Sequence, residues 1–246
     1  MDIVDALAAR DGTTCVVGAG GKKTAMATLA GRLDEPVVTA TVRIPIFDGW
    51  VVRVAVTGDP LAAVREADAD DFPLGVVPER ERADRYRGYD LETVDSLADT
   101  GHPVLVKADG ARMREFKAPN ETEPRLPTRA DTVVPVASAH VVGERLDDES
   151  VHRVDRVAAL TGLDSGDPIG PEDVARVLAS PEGGRKGVPE GATVVPLVNK
   201  VDDAHLEGTA REIAEAVLTF TDEDEVPRVV LAELRAEDPL VAIVER

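Results

Sequence analysis

Residues 18–24, Gly-Ala-Gly-Gly-Lys-Lys-Thr, contain the residue types from which a phosphate cradle is made. Glycines let backbone N–H groups converge on an anion, and a following helix N-terminus adds positive partial charge. A lysine can reach terminal phosphates, and a threonine hydroxyl can hold Mg2+. The match to G-x-x-x-x-G-K-[ST] is offset. With Gly21-Lys22 as the G-K pair, Val16 takes the first glycine position and Lys23 the hydroxyl position. With Lys23-Thr24 as the K-[ST] pair, Lys22 stands where the preceding glycine belongs. Nucleotide contacts are expected from Gly18, Gly20, Gly21, Lys22, Lys23 and Thr24, and the choice between the two lysines stays open. A plain glycine turn between strand and helix is the competing reading.

Two further groups carry chemistry. Asp109-Gly110 closes an apolar run, where an α/β sheet places its reactive groups. A carboxylate there would hold Mg2+ directly or through water and support catalysis with the lysines; a turn-forming Asp is the bland alternative. Asn199-Lys200-Val201-Asp202 also follows an apolar run, and N-K-x-D is the guanine-reading element of P-loop GTPases. The Asp202 carboxylate would accept from two guanine N–H groups. Asn199 would fix the loop and read the O6/N7 edge, with the Lys200 stem over the ring. Adenine would not need this Asp, so GTP is favoured over ATP, although an Asn-Lys surface turn gives the same four letters.

Other candidates are less specific. Arg112 and Lys117 either bind a substrate anion or γ-phosphate charge, or belong to a solvated loop. Glu123 precedes Pro124 and reads as ligand or loop-fixing turn. His152-Arg153 near a helix start could face inward or outward, and His140 is weaker. Gly183–Gly187 is an anion nest or a link. Four histidines and one cysteine show no zinc spacing, which leaves magnesium as the expected metal.

The elements that must position these groups alternate regularly. Strands are expected at 13–17, 36–41, 50–57, 74–77, 104–108, 131–137, 193–198 and 228–231, the third at a sheet edge. Helices are expected at 2–9, 23–33, 60–67, 91–98, 151–161, 171–179, 206–218 and 239–245. Residues 111–129 show no period and read as a long functional loop. Continuous Val-rich strands alternating with helices predict a three-layer α/β domain with a mostly parallel sheet. One domain covers 1–246, with room for a small helical lobe around 150–180.

Composition narrows the class. The net charge of -19 repels phosphate backbones and anionic lipid, so neither nucleic acid nor membrane is an expected partner. No apolar run reaches the roughly 18 residues of a membrane span. The acidic N-terminus lacks the basic start of a secretory signal, and a lone Cys15 fits a reducing cytoplasm. Many acids and scarce lysine resemble a halophile's surface. The few lysines cluster: Lys22 and Lys23 in the glycine turn, Lys107 and Lys117 around the second group, Lys200 in the third; Lys186 stands apart. Dinucleotide binding is disfavoured, because Lys23 takes the third glycine position of G-x-G-x-x-G and Thr39-Ala40-Thr41 offers no acid.

Together VVGAGGKKT, VTATVRI, VLVKADGARMREFKAPNETEPRLP, VVGERLDDESVHR and VPLVNKVDD resemble the selenium-dependent hydroxylase accessory protein family, YqeC type. The likeness runs from about residue 13 to 203. It implies a P-loop-NTPase-like fold and a role in maturing selenium-dependent molybdenum hydroxylases or their cofactor, with those hydroxylases or their assembly proteins as partners. The chain departs from the family where Lys23 replaces a Thr and where Ala40 and Arg43 interrupt a threonine-rich strand. Three classes of activity remain open: a nucleotide hydrolase, a nucleotide-gated binding module, and a kinase or nucleotidyl transferase acting on a small selenium or pterin compound.

Overall fold

The computed structural model describes residues 1–47 and 49–246. In chain order the elements are α1 (Ile3–Ala6), β1 (Thr13–Gly18), α2 (Lys22–Ala30), β2 (Val37–Ala40), β3 (Ile44–Pro45), β4 (Arg53–Val56) and α3 (Pro60–Arg65). There follow β5 (Leu74–Val77), β6 (Arg85–Tyr86), α4 (Leu91–Leu97), β7 (Val104–Lys107), β8 (Phe116–Lys117), β9 (Thr132–Ser138) and β10 (Val151–His152). The chain closes with α5 (Val154–Thr161), α6 (Pro171–Ala179), β11 (Thr193–Val194), β12 (Leu197–Asn199), α7 (Ala204–Phe220), β13 (Arg228–Ala232) and β14 (Leu240–Glu245).

The main sheet has the order β14-β13-β12-β9-β1-β7-β2-β5-β4, with β11 also on β9. Every pairing in it is parallel except β13 with β14. The strand order reverses around β1: β2, β5 and β7 lie to one side of it, β9, β12 and β13 to the other. In an open α/β sheet the crevice beyond such a reversal is where ligands bind. The expected edge strand at 50–57 is there as β4, shortened to Arg53–Val56.

Side-chain alternation builds the layers. Val16 packs with α1 and α2, while Cys15 and Val17 face the α3 and α4 side. On the other half, Leu197 and Val230 share the α2 face, and Val198, Val229 and Leu231 pack under α5, α6 and α7. Helices cover both faces, as the three-layer reading expects. The helices near 150–180 add to this layer instead of standing apart as a lobe. Asp residues start four of the helices: Asp2 caps Asp5 at 2.9 Å, Asp59 caps Ala62 at 3.0 Å, Asp90 caps Thr93 at 2.8 Å, and Asp203 caps Leu206 at 2.8 Å.

Three expectations change. The expected helix at 239–245 is instead the strand β14, Leu240–Glu245: Leu240, Val241, Ile243 and Val244 suit a pleated edge, and it pairs antiparallel with β13. The 111–129 stretch is not structureless, because Phe116–Lys117 pairs with Val151–His152. That pairing, and Arg153 at φ 70, delays α5 to Val154. Finally, Pro196 splits the run 193–198 into β11 and β12, since it has no N–H to give the ladder. No described helix is long and apolar enough to cross a membrane.

Candidate functional site

The glycine turn sits at the carboxyl end of β1, at the centre of the sheet. Gly20 and Gly21 have φ 80 and 139, which only glycine adopts freely. They are also pressed close: a Cβ on Gly20 would meet Ser138 N, and one on Gly21 would meet the Asn199 side-chain amide. Gly21 is the N-cap of α2, no side chain caps that helix, and its first turn holds no acid. The N-terminal end of α2 thus opens onto the cleft with no cap from its own N-cap residue, where an anion would sit.

This geometry separates the two lysines. Lys22 is the first helical residue and is buried, with its ammonium folded back onto Gly18 O and 2.9 Å from Asp109 Oδ1. Lys23 is exposed on the opening, and Thr24 is half-buried beside it. Burial pushes the Lys22 ammonium below its ordinary value against the attraction of Asp109.

Asp109 is the hub beneath the turn and is 2 % exposed. Its Oδ2 accepts from Gly18 N at 2.8 Å and pairs with Lys117 Nζ at 2.8 Å. Lys117 continues to Glu123 Oε2 at 3.0 Å and to Gly110 O at 2.6 Å, and Glu123 Oε2 meets Arg153 at 2.8 Å. Lys22, Asp109, Lys117, Glu123 and Arg153 therefore form one chain of alternating charge. Burial raises both carboxyls, but the lysines, and for Glu123 also Arg153, hold them below the usual carboxylate range. Lys117 is no solvated loop residue: its side chain is 1 % exposed.

Asp109 Oδ1 is buried and is met by Lys22 Nζ at 2.9 Å, with no other partner among the described residues. Should Lys22 turn to a phosphate, Asp109 Oδ1 would lose that partner beneath the cradle, and with Thr24 on the opening it would fit a magnesium ion held mainly by phosphates and water. Among the described residues no group of three or more His, Cys, Asp or Glu could hold a metal, so an all-protein cage is not the fit.

The third group folds onto the first. Asn199 donates from Nδ2 to Gly20 O at 2.8 Å, and its Oδ1 accepts from Leu234 N at 3.3 Å. Lys200, at φ 63, pairs with Glu115 at 2.6 Å. Asp202 is exposed and pairs with His140 at 2.8 Å. The strand threonines play no part here: Thr39 and Thr41 are buried and bond Val76 O and Arg125 O.

These groups surround one cleft of about 1390 Å³. Gly20, Gly21, Lys22, Lys23 and Thr24 open onto it, as do Arg112, Glu123, His152 and Arg153 and, at the far side, Asn199, Lys200 and Asp202. Gly18, Asp109 and Lys117 lie beneath, around a small internal cavity. Among the described residues the cleft gathers eleven of the 28 Lys and Arg but four of the 47 Asp and Glu, a local surplus of seven positive charges. The Gly183–Gly187 loop reaches it only through Lys186, which donates to Asn120 O at 2.6 Å.

Lys107, marked in the sequence only as one of the clustered lysines and given no role there, joins the site. It opens onto the cleft and donates to Arg43 O at 2.8 Å and Asp109 O at 2.6 Å. Burial and the charge of Lys22 push it down to about 7. A signal for it exists in the sequence, since a lysine ending the buried run Val104-Leu105-Val106 needs a reason to be there. Glu115 carries no such signal, because only the fold brings it to Lys200.

Fold and cleft together define a mostly parallel α/β protein with a basic cleft at the carboxyl ends of its central strands. The chain belongs to the YqeC protein family, whose sequence profile matches residues 14–155. It is 28% identical over 192 residues to the protein named "Uncharacterized protein YqeC" of Escherichia coli (strain K12), covering 75% of this chain and 74% of that one. The profile match includes the glycine turn, Asp109, Lys117, Glu123, His152 and Arg153; Asn199–Asp202 lies beyond it.

Proposed function

We propose that the protein binds a purine nucleotide, GTP in preference to ATP, and acts as a Mg2+-dependent accessory protein in maturing selenium-dependent molybdenum hydroxylases or their cofactor. The accessory role rests on the stretches DGAR and KAPNETEP and their resemblance to that family. The nucleotide reading rests on one observation above others: Asn199 ties the N-K-x-D loop to the glycine turn through Gly20 O. A loop that reads a base has to be held in register with the loop that grips its phosphates, and this bond does so.

In this reading the triphosphate lies on the Gly18–Thr24 turn and the first turn of α2. Lys22 exchanges Gly18 O and Asp109 for phosphate oxygens, which draws its charge toward the transferring group. Thr24 and Asp109 would hold Mg2+, which supplies neutralisation of phosphate charge. Asp202 trades His140 for the guanine N–H edge. The test is thermal stability with GTP or ATP and Mg2+ in high salt, together with phosphate release. GTP is expected to raise Tm more than ATP, Lys22→Ala to remove the shift, and Asp202→Asn to erase the preference. The reading fails if neither nucleotide at millimolar concentration moves Tm.

A further inference from the structure

The phosphate cradle and the N-K-x-D loop account for only part of the cleft. From β1 the base-reading loop lies two strands away, at the end of β12. The mouth over the cradle is formed instead by residues 111–115 and by the short β8–β10 pair. This mouth is fastened to the cradle, since Gly20 N donates to Arg114 O at 3.0 Å and Ser138 N to Glu115 O at 3.2 Å. Arg112 and Met113 are held there at φ 48 and 62, and Met113 is 96% exposed.

In a chain with 47 acids, most arginines have an acceptor. Arg112 and Arg114 make no side-chain hydrogen bond or ion pair among the described residues, and both open onto the cleft. His152, the strand partner of Lys117, and Arg153 open onto the same cleft. Burial first, and then Arg153, Lys117 and Arg112, push His152 down to about 4. Four basic side chains thus open onto one cleft, and among the described residues only Arg153 has a carboxylate partner, Glu123 at 2.8 Å. A cleft of about 1390 Å³ also exceeds the roughly 300–1,000 Å³ that encloses a drug-sized ligand.

We propose that Arg112, Arg114, His152 and Arg153 form a second anion subsite, which takes a small phosphorylated compound beside the nucleotide. Guanidinium forks suit phosphate oxygens, and a neutral His152 offers one further N–H. The carboxylates nearest this mouth, Glu115, Asp109 and Glu123, are each engaged by a lysine, which offsets their repulsion of such a ligand. The inference deepens the nucleotide reading and rests on it for the word "beside".

The probe is inorganic pyrophosphate, titrated calorimetrically into protein saturated with a non-hydrolysable GTP analogue, in high salt. One pyrophosphate is expected to bind per chain. Arg112→Ser/Arg114→Ser should weaken it by about tenfold or more and leave the affinity for the GTP analogue within about twofold. Arg112 is exposed and Arg114 half-buried, and unchanged Tm of the variant verifies that it is folded. No binding to the saturated protein, or binding that the double variant leaves intact, overturns the proposal. If the GTP analogue itself does not bind, pyrophosphate is titrated into Lys22→Ala protein, which has lost the cradle's lysine. Binding there that depends on Arg112 and Arg114 upholds the subsite while the nucleotide reading falls; its absence sinks both.

Discussion

Replacing Lys117 by Met tests whether the alternating charges under the cleft hold the fold together. Lys117 is 1 % exposed and satisfies Asp109, Glu123 and Gly110 O at once. Met keeps the length and apolar stem and removes the charge. Glu123 retains Arg153, but Asp109 is left 2 % exposed with Lys22 as its remaining cation. Breaking one side of a buried ion pair costs about 3–5 kcal/mol. For a chain of this size that is a Tm loss of roughly 6–20 °C. Urea denaturation of wild type, Lys117→Met, Asp109→Asn and the double variant measures it. The double variant should be less destabilised than the sum of the singles by about 2 kcal/mol, because the Asp109→Asn change removes the carboxylate that Lys117→Met would strand. Asp109 and Glu123 titrate below their unfolded values, so their contribution is present above about pH 4 and is lost as pH falls through the folded values. The gap between wild type and Lys117→Met should therefore narrow below pH 4. High salt should leave the effect largely intact, since buried pairs are little screened. A cost under about 1 kcal/mol, or strict additivity in the cycle, would refute the reasoning.

Two other perturbations probe neighbouring parts of the cleft. Lys107 stands at about 7 in the fold and near 10.5 when unfolded, so between those values the unfolded chain binds more protons and stability rises with pH. Relative to Lys107→Met, the wild type should gain roughly 3–5 kcal/mol from pH 7 to pH 10 in denaturant titrations, and a pH-independent difference would count against the buried amine. Asn199→Ala leaves Gly20 O and Leu234 N without their partner. It should cost about 1–3 kcal/mol and weaken GTP binding several-fold; equilibrium denaturation and nucleotide titration of the same preparation check it, and a variant normal in both measures would remove the link between the loops.

The parallel sheet was legible because its central strands are unbroken apolar runs, a pattern that only burial on both faces explains. Residues 240–245 were not, because six apolar-rich residues suit either a helical stripe or a pleated edge, and the arbiter is β13, distant in neither sequence nor space but invisible to periodicity. The glycine turn was visible as chemistry and ambiguous as register. Gly21 at φ 139 resolves it in the fold by making Lys22 the first helical residue, buried, and Lys23 the exposed one. Lys117 and Glu123 stood between ligand and loop residue because each looks soluble alone; only as partners do they tolerate burial.

Net charge bears on the size of a partner more than on its sign. A value of -19 argues against anionic partners if the charge is treated as one field. Yet the acids are spread over the exterior and eleven Lys and Arg face one cleft. At molar salt an exposed charge is screened within about 3 Å, so a small anion at the cleft wall would feel little of the distant carboxylates. The basic groups that line the wall and lie half-buried in it are screened far less. An acid-coated chain of this kind can repel a polyanion the size of a duplex while it collects a small phosphate. Total charge then reports on the solvent and on large partners, and the ligand is read from the few residues that the fold withdraws from that coat.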